Sequence, residues 1–257
     1  MPSSSDPTNT AFLLFRLWGP MAAWGDIAVG ERRGSWNRPS RSAVLGLVAA
    51  CLGYERSNGA AHLRLEQGLG FAVRVDDPGR PLRDYHTAQS PSEYRGKRWA
   101  TRRDELADPR NLNTILSERT YQLEMNAVIV LWRRPATDGP TLEKVSEKLI
   151  EPVFAPYLGR KSCPLGLPIQ PRMYTEVSPV AALQSYDAQP YKEHQHLPTK
   201  DRRRDTPRRD LWLDEDDALA FGLRPIERTQ RRDRVRDRPR WLFSDRTEVR
   251  IAPESKP

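Results

Sequence analysis

Apolar residues gather in a few short runs, and the period of each run predicts its element. Residues 11–18, AFLLFRLW, are apolar on both faces except at Arg16 and predict a buried strand. Gly19-Pro20 ends it. In residues 41–52, Val44, Leu47, Val48, Cys51 and Leu52 recur at i, i+3, i+4, i+7 and i+8, the stripe of an amphipathic helix. Ser40 suits its N-cap and Gly53 the position just past its end. Gly46, Ala49 and Ala50 give this helix a second, small-residue side that another group could approach closely. Further strands are predicted over 69–75 (LGFAVRV), over 121–132 with its doubly apolar centre AVIVLW, and near 172–177. A second helix is predicted over 141–150, with Leu142, Val145 and Leu149 inward, ended by Pro152 and Pro156.

The order strand, helix, strand, strand, helix, strand is the split βαββαβ unit of an α+β, ferredoxin-like fold. The RNA-recognition motif shares this topology and reads single-stranded RNA on its sheet face. Residues 80–120 interrupt the order. They hold Arg83, Arg95, Lys97, Arg98, Arg102, Arg103, Arg110 and Arg119 with Tyr85, Tyr94 and Trp99 interleaved, and show no core pattern. So long a polar stretch is expected to protrude as an arm. Past residue 178 the apolar pattern thins. Residues 198–240 are rich in Arg, Asp and Pro and mix both signs, which favours a solvated or disordered excursion over a dedicated binding site. The stretch WLFSDRTEVRI offers one last strand. The expected organisation is a folded domain over 9–178 and a polar, partly flexible C-terminal region over 179–257.

Charge narrows the function. The chain of 257 residues carries a net charge of +8, which points to an anionic partner, nucleic acid before a membrane surface. Arg outnumbers Lys, which fits either phosphate recognition or the codon bias of a GC-rich genome. Cys51 and Cys163 lie in no C-x-x-C or Cys/His cluster, so no structural zinc or other cofactor is expected, and a reducing cytoplasm is the natural compartment. The N-terminus MPSSSDPTNT lacks a basic leader region, and no run approaches the ~20 apolar residues of a membrane span.

Three segments carry candidate chemistry. Arg38-Pro-Ser-Arg-Ser42 opens the first helix, where free N–H groups, the positive dipole end and the flanking Arg38 and Arg41 would suit a phosphate beside Ser40 and Ser42. Tyr157-Leu-Gly-Arg-Lys-Ser-Cys-Pro164 would present Arg160, Lys161 and Ser162 to a bent phosphate backbone. Tyr85 and His86, in Arg83-Asp-Tyr-His-Thr87, could stack on RNA or cleave it by metal-independent acid/base attack through the 2′-OH, and binding is the favoured reading. No P-loop, H-E-x-x-H or G-x-S-x-G is present. The loop FRLWGPMAAWGD after the first strand predicts Trp18 inside, with Trp24 and Trp36 forming a docking surface and Trp99 a further docking residue.

The segments LWGPMAAWG, RPSRSAVLGLVAACLG, LRDYHT, EYRG, ILSERTYQLEMNAVIVLW and PYLGRKSCPLGLP, in order over about residues 11–170, resemble the CasD family. Its members are the "Cas five" subunits of the type I-E CRISPR surveillance complex, Cascade. The resemblance implies a β-hairpin thumb between the second and third core strands, corresponding to the arm. It implies capping of the 5′ handle of CRISPR RNA, contacts with the adjacent backbone subunit and the large PAM-reading subunit, and only indirect contact with target DNA. It adds Tyr94, Arg95, Lys97, Arg98 and Arg119 of the arm to Tyr85, His86 and Tyr157 as RNA-binding candidates. In subtype I-E a separate endoribonuclease cuts the precursor RNA, whereas in the related subtype I-C this subunit cuts with a Tyr-Lys-His set. The present chain has Tyr85-His86 without an adjacent Lys-His, so a non-catalytic role is expected, with a metal-independent endoribonuclease as the alternative.

Overall fold

The computed structural model describes residues 9–28, 30–92, 96, 98–135, 137–189 and 209–252. It begins with β1 (Thr10–Trp18) and four two-residue strands, β2 (Met21–Ala22), β3 (Trp24–Gly25), β4 (Arg32–Arg33) and β5 (Ser35–Trp36). Helices α1 (Arg41–Cys51) and α2 (Gly59–Gly68) lead to β6 (Leu69–Asp77). β7 (Arg80–Pro91), the short α3 (Arg102–Glu105) and β8 (Leu112–Leu123) precede β9 (Asn126–Arg133), α4 (Leu142–Ile150), β10 (Arg172–Glu176) and α5 (Pro179–Asp187). β11 (Leu211–Asp214), α6 (Glu215–Ala220), β12 (Glu227–Asp237) and β13 (Leu242–Ile251) follow.

The main sheet is seven-stranded and antiparallel throughout, in the order β10-β1-β9-β6-β11-β13-β12. β1 and β6 run the same way on either side of β9, linked by α1 and α2. β9 and β10 run the same way on either side of β1, linked by α4. Alternate residues of each strand face opposite sides. Leu13, Phe15, Phe71, Val73, Ile129 and Leu131 pack under α1 and α4, and Phe12, Leu14, Ala72, Val128 and Val130 pack under α5 and α6. Both faces of the central strands are therefore dry. The open sheet face of an RNA-recognition motif is closed here by Ala182, Leu183 and Tyr186 of α5 and by Phe221, which meets Phe12 and Trp132.

Helix α1 forms where its stripe requires, with the Ser40 hydroxyl accepting from Ala43 N–H at 3.2 Å and Gly53 at φ +78° just beyond it. α2 is a helix that the apolar pattern does not predict. Its buried residues include His62 and Glu66, so no apolar stripe announces it. The strand expected over 121–132 is two strands, because Glu124 takes a left-handed φ of +56° between β8 and β9. β7 and β8 pair over twelve successive positions, from Arg80 with Leu123 to Pro91 with Leu112, as a long and mostly exposed ribbon.

The largest correction concerns the C-terminal region. The described residues 209–252 are integral to the main sheet, with β11 paired to β6 and β13. The expected division at residue 178 therefore does not match the fold. Residues 190–208 lie outside the described ones. The Arg/Asp-rich run 227–237 is β12, with Arg231, Asp233 and Val235 facing in and Arg232 and Arg236 facing out. Inward charges are tolerated because they meet partners. Arg246 donates to Asp233 (2.6 Å), Asp214 (2.8 Å) and Glu248 (2.9 Å), and Arg231 lies 3.4 Å from Glu248. Arg41 and Arg38 complete the network from α1 and its approach. Desolvating each ion costs several kcal/mol, roughly, which close pairing offsets.

Candidate nucleic-acid interface

The loop 157–164 is held by its apolar residues and displays its polar ones. Leu158 and Cys163 are fully buried, and Leu158 N–H donates to Cys163 O at 2.7 Å. Burial pushes the Cys163 thiol up from its ordinary value. Gly159 has φ +87°, and a Cβ there would stand 1.8 Å from Ala23 O, so only glycine lets the loop lie against that backbone. Arg160 stacks on Tyr121 (4.7 Å to the ring centre) and donates to Thr120 O (3.3 Å) and Arg33 O (3.1 Å). It thereby ties the loop to the root of the ribbon. Lys161 and Ser162 are exposed at its tip.

Beside this loop runs a cleft of about 670 Å³. Its floor is the small-residue side of α1, at Ala43, Gly46 and Ala50, with Ser40 and Ser42 at the helix start. Trp36, Tyr157 and Arg160 line it, and so do Arg232, Arg238, Trp241 and Phe243 from the β12–β13 hairpin. Among the described residues, Arg33, Arg160, Arg232 and Arg238 of its lining enter no ion pair, whereas Asp233 is engaged by Arg246. Unneutralised guanidinium groups beside aromatic rings in an open groove suit a polyanion carrying flat bases.

Several predicted site residues lie elsewhere. Arg38 and Arg41 are buried, not flanking an open phosphate site. Arg38 grips Glu248 (2.8 and 2.6 Å) and stacks on Trp212, and burial holds its pKa below the usual arginine value. Arg41 donates to Glu66 and to the carbonyls of Glu66 and Leu69. The helix start does attract an anion, but the anion is the chain's own: Arg41 N–H donates to Asp233 Oδ2 at 2.8 Å. Trp24 is buried at 1% exposure and is not a docking residue, because β3 turns its ring into the core. Its cross-strand partner Trp36 is partly exposed, in the cleft, with Arg38 and Arg231 stacked on it. Trp18 is half-buried against Gly166.

Tyr85, His86 and Arg119 stand on the ribbon, and Arg98 and Trp99 on the segment between its strands. Tyr94, Arg95 and Lys97 lie outside the described residues. Tyr85 faces Glu118 and His86 faces Ser117 across the ribbon, so as consecutive strand residues their side chains point to opposite faces. His86 Nδ1 lies 3.3 Å from Asp84 Oδ2 at an exposed site. Among the described residues, no group of three or more His, Cys, Asp or Glu could hold a metal. Sequence reasoning missed Arg33, Arg232, Arg238 and Trp241. The usable signal was the alternation in RRDRVRD, a period of two whose inward positions are Arg231, Asp233 and Val235.

Fold and cleft together define a class: a mixed α/β protein built on antiparallel sheets, with a basic, aromatic-flanked groove. The family model for CRISPR-associated protein (Cas_Cas5) matches residues 12–247, and the chain belongs to this Cas5 family. The match runs through the Arg/Asp-rich β12 strand. The CRISPR system Cascade subunit CasD of Escherichia coli (strain K12) is 33% identical over 186 residues, 69% of this chain and 77% of that protein. A chain of a CRISPR RNA-guided surveillance complex shares the fold at TM-score 0.59 and 23% identity, covering 95% of this chain and 90% of that one. A structure described as a Cas protein aligns at TM-score 0.53 and 22% identity, over 96% of this chain and 100% of its own. No described helix is long and apolar enough to cross a membrane.

Proposed function

We propose that the chain is a non-catalytic subunit of a type I-E Cascade surveillance complex, acting in the cytoplasm in antiviral defence. It binds and caps the 5′ handle of CRISPR RNA and contacts the adjacent backbone subunit and the large PAM-reading subunit. The observation that carries this reading is the groove with four arginines free of ion pairs among the described residues, in a chain whose relative is a Cascade subunit. The strand order β10-β1-β9-β6 with its two split crossovers supports the ferredoxin-like, RNA-recognition-like assignment of the body. The β7–β8 ribbon, projecting between β6 and β9, supports its reading as the thumb. Target DNA is met only through the assembled complex. Tyr85 and His86, on opposite ribbon faces, serve recognition and not cleavage.

Arg33→Gln with Lys161→Gln tests the groove, since both side chains are exposed. The pair should weaken binding to RNA carrying the repeat-derived 5′ end by about 1–3 kcal/mol for each charge-assisted hydrogen bond removed. The salt slope should fall by ~0.7 for each phosphate no longer neutralised. Wild-type affinity and slope would remove RNA from this groove. Precursor RNA incubated with the protein, with and without chelator, should stay intact. A specific cut abolished by His86→Ala would make the chain an endoribonuclease.

A further inference from the structure

At the tip of the β12–β13 hairpin two cations share one aromatic ring. The guanidinium carbons of Arg56 and Arg238 lie 4.5 and 4.4 Å from the centre of the Trp241 indole. Trp241 is 53% exposed and holds a left-handed φ of +61°, a conformation costly for a bulky side chain and found where surroundings impose it. Arg56 also donates to Pro239 O at 3.2 Å. Arg238 is partly buried, lying over Gly46, where an added Cβ would come within 3.0 Å of its Nη2. Among the described residues the Arg238 guanidinium has neither a hydrogen-bond acceptor nor a carboxylate partner; it has the indole, with Tyr157 near it. Burial pulls its pKa down, and the Arg56 charge pulls it further against an opposing effect of Tyr157.

Two like charges gathered without a carboxylate partner among the described residues are unfavourable by themselves, in contrast to the ion-paired arginines of the core. The arrangement is complete only with an anion between them. We propose that Arg56 and Arg238, held by Trp241, form a phosphodiester subsite for single-stranded RNA where the β12–β13 hairpin borders the cleft. The ligand class follows from the setting. Arg238 and Trp241 line the same cleft as Arg160, so one strand could reach all three. The exposed indole and Leu242, at 51% exposure, offer apolar surface to a ribose or base that a free phosphate would leave unused. This subsite rests on the RNA reading above and extends it to a hairpin that the recognised motifs do not include.

The test uses the full chain and labelled single-stranded RNA bearing the repeat-derived 5′ end, read by fluorescence anisotropy over a salt series. Arg56→Gln with Arg238→Gln should lower affinity at least tenfold and reduce the log–log salt slope by ~1.4, about 0.7 for each of two phosphates no longer neutralised. The same variant without RNA should melt at or above the wild-type temperature, because it removes an unpaired repulsion. A lowered melting temperature with an unchanged salt slope would overturn the subsite and make Arg238 a structural residue. Wild-type slope and affinity would overturn it too. If Arg33→Gln with Lys161→Gln loses affinity while the hairpin variant does not, the subsite fails and the RNA reading stands. If neither variant loses affinity, both fail. Normal RNA affinity with failure to join a neighbouring subunit would reassign the two arginines to a protein carboxylate and overturn the proposal.

Discussion

Arg246→Met tests whether the buried ion network holds the C-terminal strands. Arg246 is fully buried and serves Asp214, Asp233 and Glu248 at 2.8, 2.6 and 2.9 Å. Met keeps much of the volume and removes the charge. Two of the carboxylates retain good partners, Glu248 with Arg38 and Asp214 with Arg134. Asp233 keeps only Arg231 at 3.9 Å and the Arg41 N–H. Stranding a buried charge in this way costs about 3–5 kcal/mol. That is a large share of the ~5–15 kcal/mol typical of a folded protein. Urea unfolding followed by tryptophan fluorescence at neutral pH should show a lower midpoint with an unchanged slope.

The pH dependence gives a second handle. Burial alone would raise Asp214 and Asp233, but Arg41 and Arg246 at the first, and Arg246 at the second, hold both below the ordinary carboxylate value. A depressed carboxylate stabilises the wild type above its unfolded pKa, about 3.9, and that contribution is lost as pH falls through the folded value. Without Arg246, Asp233 loses its closest partner and burial drives its pKa up, whereas Asp214 keeps Arg41, Arg134 and Arg234. The variant should then suffer most near neutrality, and the gap to wild type should narrow as the pH falls and protonation neutralises the stranded Asp233. A penalty under ~1 kcal/mol, or one constant from about pH 7.5 to 5, would refute the network's role.

Gly159→Ala should destabilise by about 1–3 kcal/mol from its left-handed backbone alone, with the clash at Ala23 O adding to it, and a thermal melt would show the loss. Replacing residues 88–116 by a short Gly/Ser linker should leave a cooperatively unfolding protein that fails to join a backbone subunit on guide RNA. Aggregation of that variant would mean the ribbon is needed for folding. Cys51, pushed up to about 11 by burial, should resist a thiol reagent at pH 8 until the chain unfolds, and prompt labelling of the native protein would contradict its placement.

The sequence made legible those elements whose buried positions are apolar. β1, β6, β9, α1 and α4 show their periods plainly. α2 did not, since its inward residues include His62 and Glu66. β12 did not, since Arg231 and Asp233 fill inward positions that apolar patterning expects of Val or Ile, and β13 was legible only as a last strand, its inward Arg246 and Glu248 hiding its place in the main sheet. In the site, the 157–164 loop was readable because glycine and proline fix it locally. The start of α1 was misread because an anion site there looks the same whether the anion is a ligand or Asp233, 192 residues away. The far wall of the cleft could not be read, because it exists only once β12 and β13 have packed on α1.

That dependence gives the network a role that stability alone does not require. In β12, Arg231 faces in and Arg232 faces the cleft. A slip of one residue would exchange them, since strand side chains alternate with a period of two. Two arginines differ in no hydrophobic property, so Val235 is the one apolar residue of β12 that distinguishes the two registers. Ion pairs add the rest: in the observed register Arg231 meets Glu248 and Asp233 meets Arg246 and the Arg41 N–H. In the slipped register Asp233 would face solvent and leave Arg246 without its closest partner. The four buried arginines of this network, Arg38, Arg41, Arg231 and Arg246, face four carboxylates, Glu66, Asp214, Asp233 and Glu248, and add little to the outer field. The excess of +8 is therefore carried outside this network, where Arg33, Arg160, Arg232 and Arg238 lack carboxylate partners among the described residues. Internal pairing fixes which arginines are consumed in the core, and by fixing the register it decides which ones remain to meet RNA.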